Sequence, residues 1–150
     1  TGTKEAANID GFTRLFGACH GGPDRKFTKF DQIAVEFADA KHPIVAGLQP
    51  FAVREEFYYR LKRPAADAGT LHPLLTIPVD DGHDMVGWTF DRADGGRSFG
   101  FTGLHFHDNW RRPEYRRLIA QGILWTLHLP PPAELNFDVP DERLKLEHQQ

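Results

Sequence analysis

The chain has 150 residues, of which 40% are hydrophobic and 26% charged, proportions typical of a globular domain and unlike those of disordered or fibrous chains. Its 18 Lys and Arg against 21 Asp and Glu exclude the basic excess that nucleic-acid binding requires. No apolar run reaches the ~18 residues of a membrane span and no apolar leader is visible, so we expect no membrane partner and a soluble protein of the cytoplasm or periplasm. Cys19 is the single cysteine, which excludes an intrachain disulfide.

The first predicted element is a short helix. Asp10 has a side chain suited to an N-cap, Phe12 and Leu15 give the helix an apolar side, and Gly17 is typical of the position after a helix C-terminus. We therefore predict a helix that begins at Asp10, ends at Gly17 and packs its apolar side against the rest of the chain.

A series of apolar runs, separated by Gly, Pro and Asp, predicts strands. The predicted strands cover residues 27–37, 51–61, 71–79, 85–91 and 97–104. Pro73 and Pro78 predict a bulge or strand ends near them, because proline cannot donate to a sheet ladder. The Asp94-Gly95-Gly96 turn predicts an antiparallel hairpin between the last two strands.

Two adjacent glutamates lie in the second of these strands. Because successive side chains of a strand point to opposite faces, Glu55 shares the apolar face with Val53 and Phe57, while Glu56 shares the polar face with Tyr58. Burial would raise the pKa of Glu55 toward that of a useful general acid. Glu56 fits either a site residue or a solvated position, and a bulge would exchange the two, so both are candidates.

The strongest predicted helix runs from Pro113 to about residue 128, where a run of prolines ends it. Its predicted buried face has apolar residues at helical spacing: Tyr115, Leu118, Ile119, Gly122, Ile123 and Trp125. The predicted opposite face has polar residues: Arg116, Arg117 and Gln121. Residues 1–132 are thus predicted to form one domain, followed by a polar tail over 133–150.

Three stretches stand together in a specific order: HPIVAGL at 42–48, REEFYY at 54–59, and GGRSFGFTGLHFHDNW at 95–110 followed by YRRLIAQGILW at 115–125. In this order the chain resembles the ThuA-like (trehalose-utilisation) family. The resemblance implies an α/β fold with a flavodoxin-like sheet and flanking helices, as in class I glutamine amidotransferases. It also implies a role in the use of trehalose or keto-disaccharides, a small-molecule sugar as partner and a bound divalent metal such as zinc. Glutaminase activity is not expected, since Cys19 lacks the glycine context of a nucleophile elbow.

Two departures from the family pattern carry further expectations. The early βαβ units of the family are absent, so we expect that the chain covers only the C-terminal part of the domain. A sheet without those strands would have an unpaired edge, which predicts a homo-oligomer. In addition, Leu104 occupies a position where the family usually has glycine before a histidine.

The strand that ends at Leu104 is followed by two histidines. In an extended chain His105 and His107 would point the same way, and imidazole is a ligand for zinc and related metals. Hydrogen-bonded histidines at a strand end are the alternative. With Glu55 or Glu56 they would form a catalytic or metal-binding set, with His105 as an acid-base residue.

Further candidates are expected to contact a sugar. His20 stands in a glycine-rich turn, and Tyr58 and Trp110 have aromatic faces suited to the apolar side of a pyranose. We predict either an enzyme of sugar metabolism or a non-catalytic carbohydrate-binding or scaffold domain. Site residues scattered over the surface would favour the second.

Overall fold

A computed structural model gives the arrangement of residues 2–3, 5–80, 82–130, 136 and 138–144. Its centre is a five-stranded sheet with the order β4-β3-β5-β6-β7. The strands are β3 (Lys26–Phe37), β4 (Phe51–Tyr59), β5 (Gly69–Val79), β6 (Gly82–Arg92) and β7 (Arg97–Phe101). All five predicted strands are confirmed, although β4 and β7 end earlier than predicted.

Every ladder of the five-stranded sheet is antiparallel. The hairpin predicted at the Asp94 turn joins β6 to β7. The register of β5 shifts on either side of Leu75, which confirms the irregularity predicted near Pro73. Parallel pairing is found between two short strands, β1 (Gly2–Thr3) and β2 (His20–Gly21).

Two main helices flank the sheet, α1 (Ala6–Phe16) and α2 (Pro113–Thr126), and short 3-10 helices lie at Pro43–Val45, Ala66–Ala68 and His107–Arg111. The α/β class with a sheet and flanking helices is confirmed. Two expectations stay predictions: that the chain lacks earlier βαβ units, and that it self-associates.

The sheet curls, so that its two outer strands approach each other. The rings of Phe57 in β4 and Phe101 in β7 meet edge to face with centroids 5.9 Å apart. The backbone beyond β7 then reaches β4, where the Leu104 amide donates to the Glu55 carboxylate at 2.8 Å. The curl brings the glutamates of β4 next to the histidine segment after β7.

Helix α2 covers one face of the sheet. Tyr115 and Leu118 are completely buried, as the helical spacing predicts. Gly122 permits close packing, since a Cβ there would lie 2.2 Å from the Phe99 ring. The prediction for two other positions is wrong: Ile123 is 54% exposed, whereas Gln121 is buried. The amide of Gln121 donates to the Ile44 carbonyl at 2.6 Å, and this bond makes burial of a polar side chain favourable.

Helix α1 lies on the opposite face. It begins at Ala6, four residues before the predicted N-cap, and Asp10 instead pairs with Arg14 one turn later at 3.1 Å. The alanines at its start are strong helix formers, which explains the longer helix. Gly17 ends it in the left-handed conformation, as predicted. The Trp88 indole donates to the Phe16 carbonyl at 2.6 Å and fastens α1 to the sheet.

The predicted tail lies largely outside the described residues. Within it, Asp141–Leu144 form a short helix, α3, against the 3-10 helix at His107–Arg111. Among the described helices, none has the length and apolar character needed to cross a membrane.

Candidate functional site

Glu55 lies on the α2 face and is completely buried. Its carboxylate accepts hydrogen bonds from the backbone amides of Leu104 and His105 at 2.8 and 3.0 Å. The Asn109 side chain and the Tyr115 hydroxyl donate to it at 2.8 and 3.1 Å. Burial, together with the nearby Glu55 charge, strongly raises the pKa of Tyr115, so that its hydroxyl keeps the proton it donates. Glu55 therefore fastens the segment after β7 onto β4.

Leu104 ends the extended geometry of that segment. Its φ of 75° lies in the left-handed region, which non-glycine residues rarely adopt. This conformation explains a glycine preference at the position. It ends the regular strand geometry before His105, and His107 begins a 3-10 helix. His105 and His107 therefore do not continue a regular strand, and their convergence on one ligand stays a prediction.

Glu56 lies on the opposite face of β4 and is also buried, with 4% exposure. Its carboxylate oxygens face His105 Nδ1 at 3.4 Å and Lys29 Nζ at 3.9 Å. Lys29 is its cross-strand partner in the β3–β4 ladder. The His105 side chain is about one-third exposed, and its ring meets Phe106 edge to face. We call this contact the Glu56–His105 pair: a buried carboxylate beside a solvent-accessible imidazole.

Tyr58 and His20 extend the Glu56–His105 pair along the same face. The Tyr58 hydroxyl donates to Glu56, and this bond, together with burial, raises the pKa of Tyr58. The His20 ring lies edge to face against Tyr58 with centroids 4.6 Å apart. Burial lowers the pKa of His20, although its hydrogen bond to the Lys26 backbone acts in the other direction. Four of the predicted site residues thus form one continuous chain of contacts.

This chain of contacts borders a cleft between α1 and the sheet, which we call the α1 cleft. Its volume is about 470 Å³, within the range of small-molecule sites. Both aromatic and polar side chains line it, among them Phe12, Phe16, Trp88, His20, Tyr58 and Thr102. Tyr58 belongs to both the α1 cleft and the Glu56–His105 pair, and so connects the two.

The remaining predicted site residues lie in the 3-10 helix. His107 is exposed, and Trp110 is half-buried, with its carbonyl bound by Arg116 at 2.5 Å. Among the described residues, no group of three His, Cys, Asp or Glu side chains is placed to hold a metal. The donors of Glu55 already occupy its carboxylate. A divalent metal at His105 and His107 stays a prediction.

Two residues of this region are not among the sequence-predicted candidates. Phe27 is 61% exposed, and its ring lies 5.9 Å from that of Tyr58, its cross-strand partner. Thr102 lines the α1 cleft beyond the end of β7. Phe27 can be identified as an exposed aromatic residue next to a predicted site tyrosine. The sequence alone does not show this, because recognising the two as neighbours requires the strand register.

A protein-family model, ThuA, described as trehalose utilisation, matches residues 1–126 of the chain. No curated protein matches the chain significantly. The family match includes both main helices, all the strands and every candidate site residue. The chain therefore belongs to the ThuA family, and its function is related at the family level to the utilisation of trehalose.

Proposed function

We propose that the protein is an enzyme of trehalose or keto-disaccharide utilisation, in which Glu56 and His105 carry out acid-base chemistry on a glycoside or keto-glycoside. The observation that carries this proposal is the Glu56–His105 pair, with 3.4 Å between Oε1 and Nδ1 and a carboxylate that is almost fully buried. A carboxylate at one imidazole nitrogen orients the ring and stabilises the positive charge that the ring gains with a proton. The other nitrogen then serves as the base.

The proposed step is a proton transfer at the carbon beside the ketone of a keto-sugar. His105 removes the proton from this carbon, and the electron pair of the C–H bond moves toward the ketone oxygen to give an enolate. The partly exposed His105 ring exchanges its proton with water, and transfer of a proton from the ring back to the same carbon, as the enolate returns to the ketone, completes a hydrogen exchange. Tyr58, whose raised pKa keeps its hydroxyl protonated, supplies a hydrogen bond beside Glu56. Glu55 has a positioning role, because its carboxylate binds the backbone amide of His105.

The alternative is a non-catalytic carbohydrate-binding or scaffold domain. The aromatic lining of the α1 cleft supports sugar binding under either proposal. The grouping of four polar side chains on one face favours the enzyme: Glu56, His105, Tyr58 and His20. In a binding domain we would expect the polar candidate residues to be scattered over the surface. Trp110 is a further candidate for stacking on the substrate.

The direct test is deuterium incorporation next to the ketone of keto-trehalose in D2O, followed by NMR. We expect the wild-type protein to catalyse the exchange, and His105→Ala and Glu56→Gln each to slow it about 100-fold or more. His107→Ala is the matched control, because it removes a neighbouring histidine that lies outside the pair. An equal loss in all three variants would favour a metal or another role shared by both histidines. Sugar binding without exchange in the wild-type protein would favour the binding domain.

A further inference from the structure

Two residues that line the α1 cleft each have a buried polar atom to which no described residue hydrogen-bonds. His20 Nε2 and Thr102 Oγ1 are both buried, and neither has a hydrogen-bond partner among the described residues. Buried polar atoms are nearly always paired in folded proteins, and an unpaired one costs free energy. Two such atoms on the walls of one cleft point to a group that comes from outside the chain.

The chemistry of the two atoms restricts that group. The Lys26 backbone accepts a hydrogen bond from the His20 ring, and burial keeps the ring neutral by lowering its pKa. A neutral imidazole has one donor and one acceptor nitrogen, so His20 Nε2 is left as an acceptor. The Thr102 hydroxyl can both donate and accept. The partner must therefore offer a donor to His20, and a hydroxyl group does so while it accepts from Thr102.

The other residues that line the α1 cleft indicate what shape and charge the ligand has. Phe12 and Phe16 form an aromatic pair with ring centroids 4.6 Å apart, and Phe16 is 47% exposed. Trp88 adds a third aromatic group on the sheet side. None of the described residues that line the α1 cleft is Lys, Arg, Asp or Glu. An anionic ligand would lose hydration there without meeting a cation, which is unfavourable.

From these observations we infer that the α1 cleft binds an uncharged hydroxylated ring, the second sugar ring of the disaccharide, through His20 Nε2 and Thr102 Oγ1. This inference rests on the proposed function in taking the ligand to be a sugar. The reacting ring lies at the Glu56–His105 pair, and Tyr58 stands between the two rings. Because both atoms are covered, a rotation of the Thr102 side chain and a tilt of the His20 ring accompany binding. The site selects trehalose against its phosphorylated form.

The experiment measures trehalose affinity by calorimetry in the wild-type protein and in Thr102→Val, which removes the hydroxyl and keeps the shape. We expect the affinity to fall about five- to tenfold, as for the loss of one hydrogen bond. Thr102→Ser, the matched control, keeps most of the affinity. His20→Phe lowers the affinity by a similar factor, and His20→Gln, which keeps an acceptor, restores part of it. Trehalose 6-phosphate does not compete with trehalose.

A melting curve distinguishes this binding role from a structural one. Thr102→Val removes a buried hydroxyl that has no hydrogen bond to any described residue, so we expect the melting temperature to rise by about 2 to 4 °C while trehalose binding weakens. A structural hydroxyl would give the opposite change in stability. Unchanged trehalose affinity in folded Thr102→Val overturns the inference, as does the absence of trehalose binding in the millimolar range or equal binding of trehalose 6-phosphate.

The outcome also separates the inference from the proposed function. If Glu56→Gln abolishes exchange while Thr102→Val leaves trehalose affinity unchanged, the acid-base proposal stands and the assignment of the α1 cleft fails. If Thr102→Val weakens binding and the wild-type protein catalyses no exchange, the assignment of the α1 cleft stands and the catalytic proposal fails.

Discussion

The two faces of the curled sheet differ in how their buried polar groups are paired. On the α2 face, the Glu55 carboxylate and the Gln121 amide have several partners each, contributed by segments far away in the sequence. On the α1 face, His20 and Thr102 each have a buried atom with no hydrogen-bond partner among the described residues, and Glu56 faces the partly exposed His105. Fully paired polar groups stabilise a fold, whereas unpaired ones are a cost that binding can relieve. The α2 face thus stabilises the structure, and the α1 face is where we propose that ligands bind.

The largest effect that tests this comparison is expected at Glu55. Glu55→Ala leaves the Leu104 and His105 amides and the Tyr115 hydroxyl without their acceptor in a buried environment. We expect a loss of about 3 to 5 kcal/mol in the free energy of unfolding, measured by urea denaturation.

Glu56→Gln is the control for Glu55, since both glutamates lie in one strand and both are buried. Its ionic partners Lys29 and His105 reach solvent, so we expect a cost of about 1 kcal/mol or less. If Glu55→Ala and Glu56→Gln lower the free energy of unfolding equally, the comparison fails, because it assigns a structural role to the α2 face and a functional role to the α1 face.

A somewhat smaller effect is expected in the apolar packing of α2. Leu118 is completely buried against the sheet, whereas Ile123 on the same helix is 54% exposed. Leu118→Ala should lower the free energy of unfolding by roughly 2 to 5 kcal/mol, because it leaves a cavity. Ile123→Ala should change it by less than about 0.5 kcal/mol. Similar unfolding curves for the two variants would contradict the packing of α2 described above, in which Leu118 faces the sheet and Ile123 faces solvent.

Local pattern was enough to predict most of the fold. Apolar runs separated by Gly, Pro and Asp predict β3 to β7, and the Asp94 turn predicts their last hairpin, because both signals depend only on neighbouring residues. Alternation also places Glu55 and Glu56 on opposite faces correctly, since the register shift between β3 and β4 falls in β3, between Phe30 and Ile33.

What local pattern could not predict depends on distant partners. Gln121 is buried because carbonyls near Ile44 receive its amide, and hydrophobicity alone assigns such a residue to the surface. The pairing of Lys29 with Glu56 requires the register of β3 on β4. The end of the strand geometry before His105 coincides with the left-handed conformation at Leu104, whose amide donates a hydrogen bond to Glu55. A leucine gives no sign of that conformation, since it is rare outside glycine.

The smallest effect is expected in the pH dependence of stability, and it tests whether the α1 face holds a neutral histidine. Burial is the main cause that lowers the pKa of His20, Arg25 lowers it further, and the Lys26 backbone opposes the shift. A folded-state pKa below the unfolded value of about 6.5 means that the unfolded chain binds the proton more readily. The contribution of His20 to stability is therefore complete above about pH 6.5 and is lost as the pH falls below it.

We expect urea denaturation to show a smaller loss of stability between about pH 7 and pH 5 in His20→Gln than in the wild-type protein. Burial also lowers the pKa of His42, which lies against Trp125 on the other side of the molecule. His42→Gln should therefore reduce the loss as well, and the double variant should reduce it further, because distant sites act additively. If His20→Gln loses as much stability as the wild-type protein over this range, the imidazole of His20 is not held neutral by burial. In that case the acceptor at Nε2, on which sugar recognition in the α1 cleft depends, would be absent in the acidic part of the range.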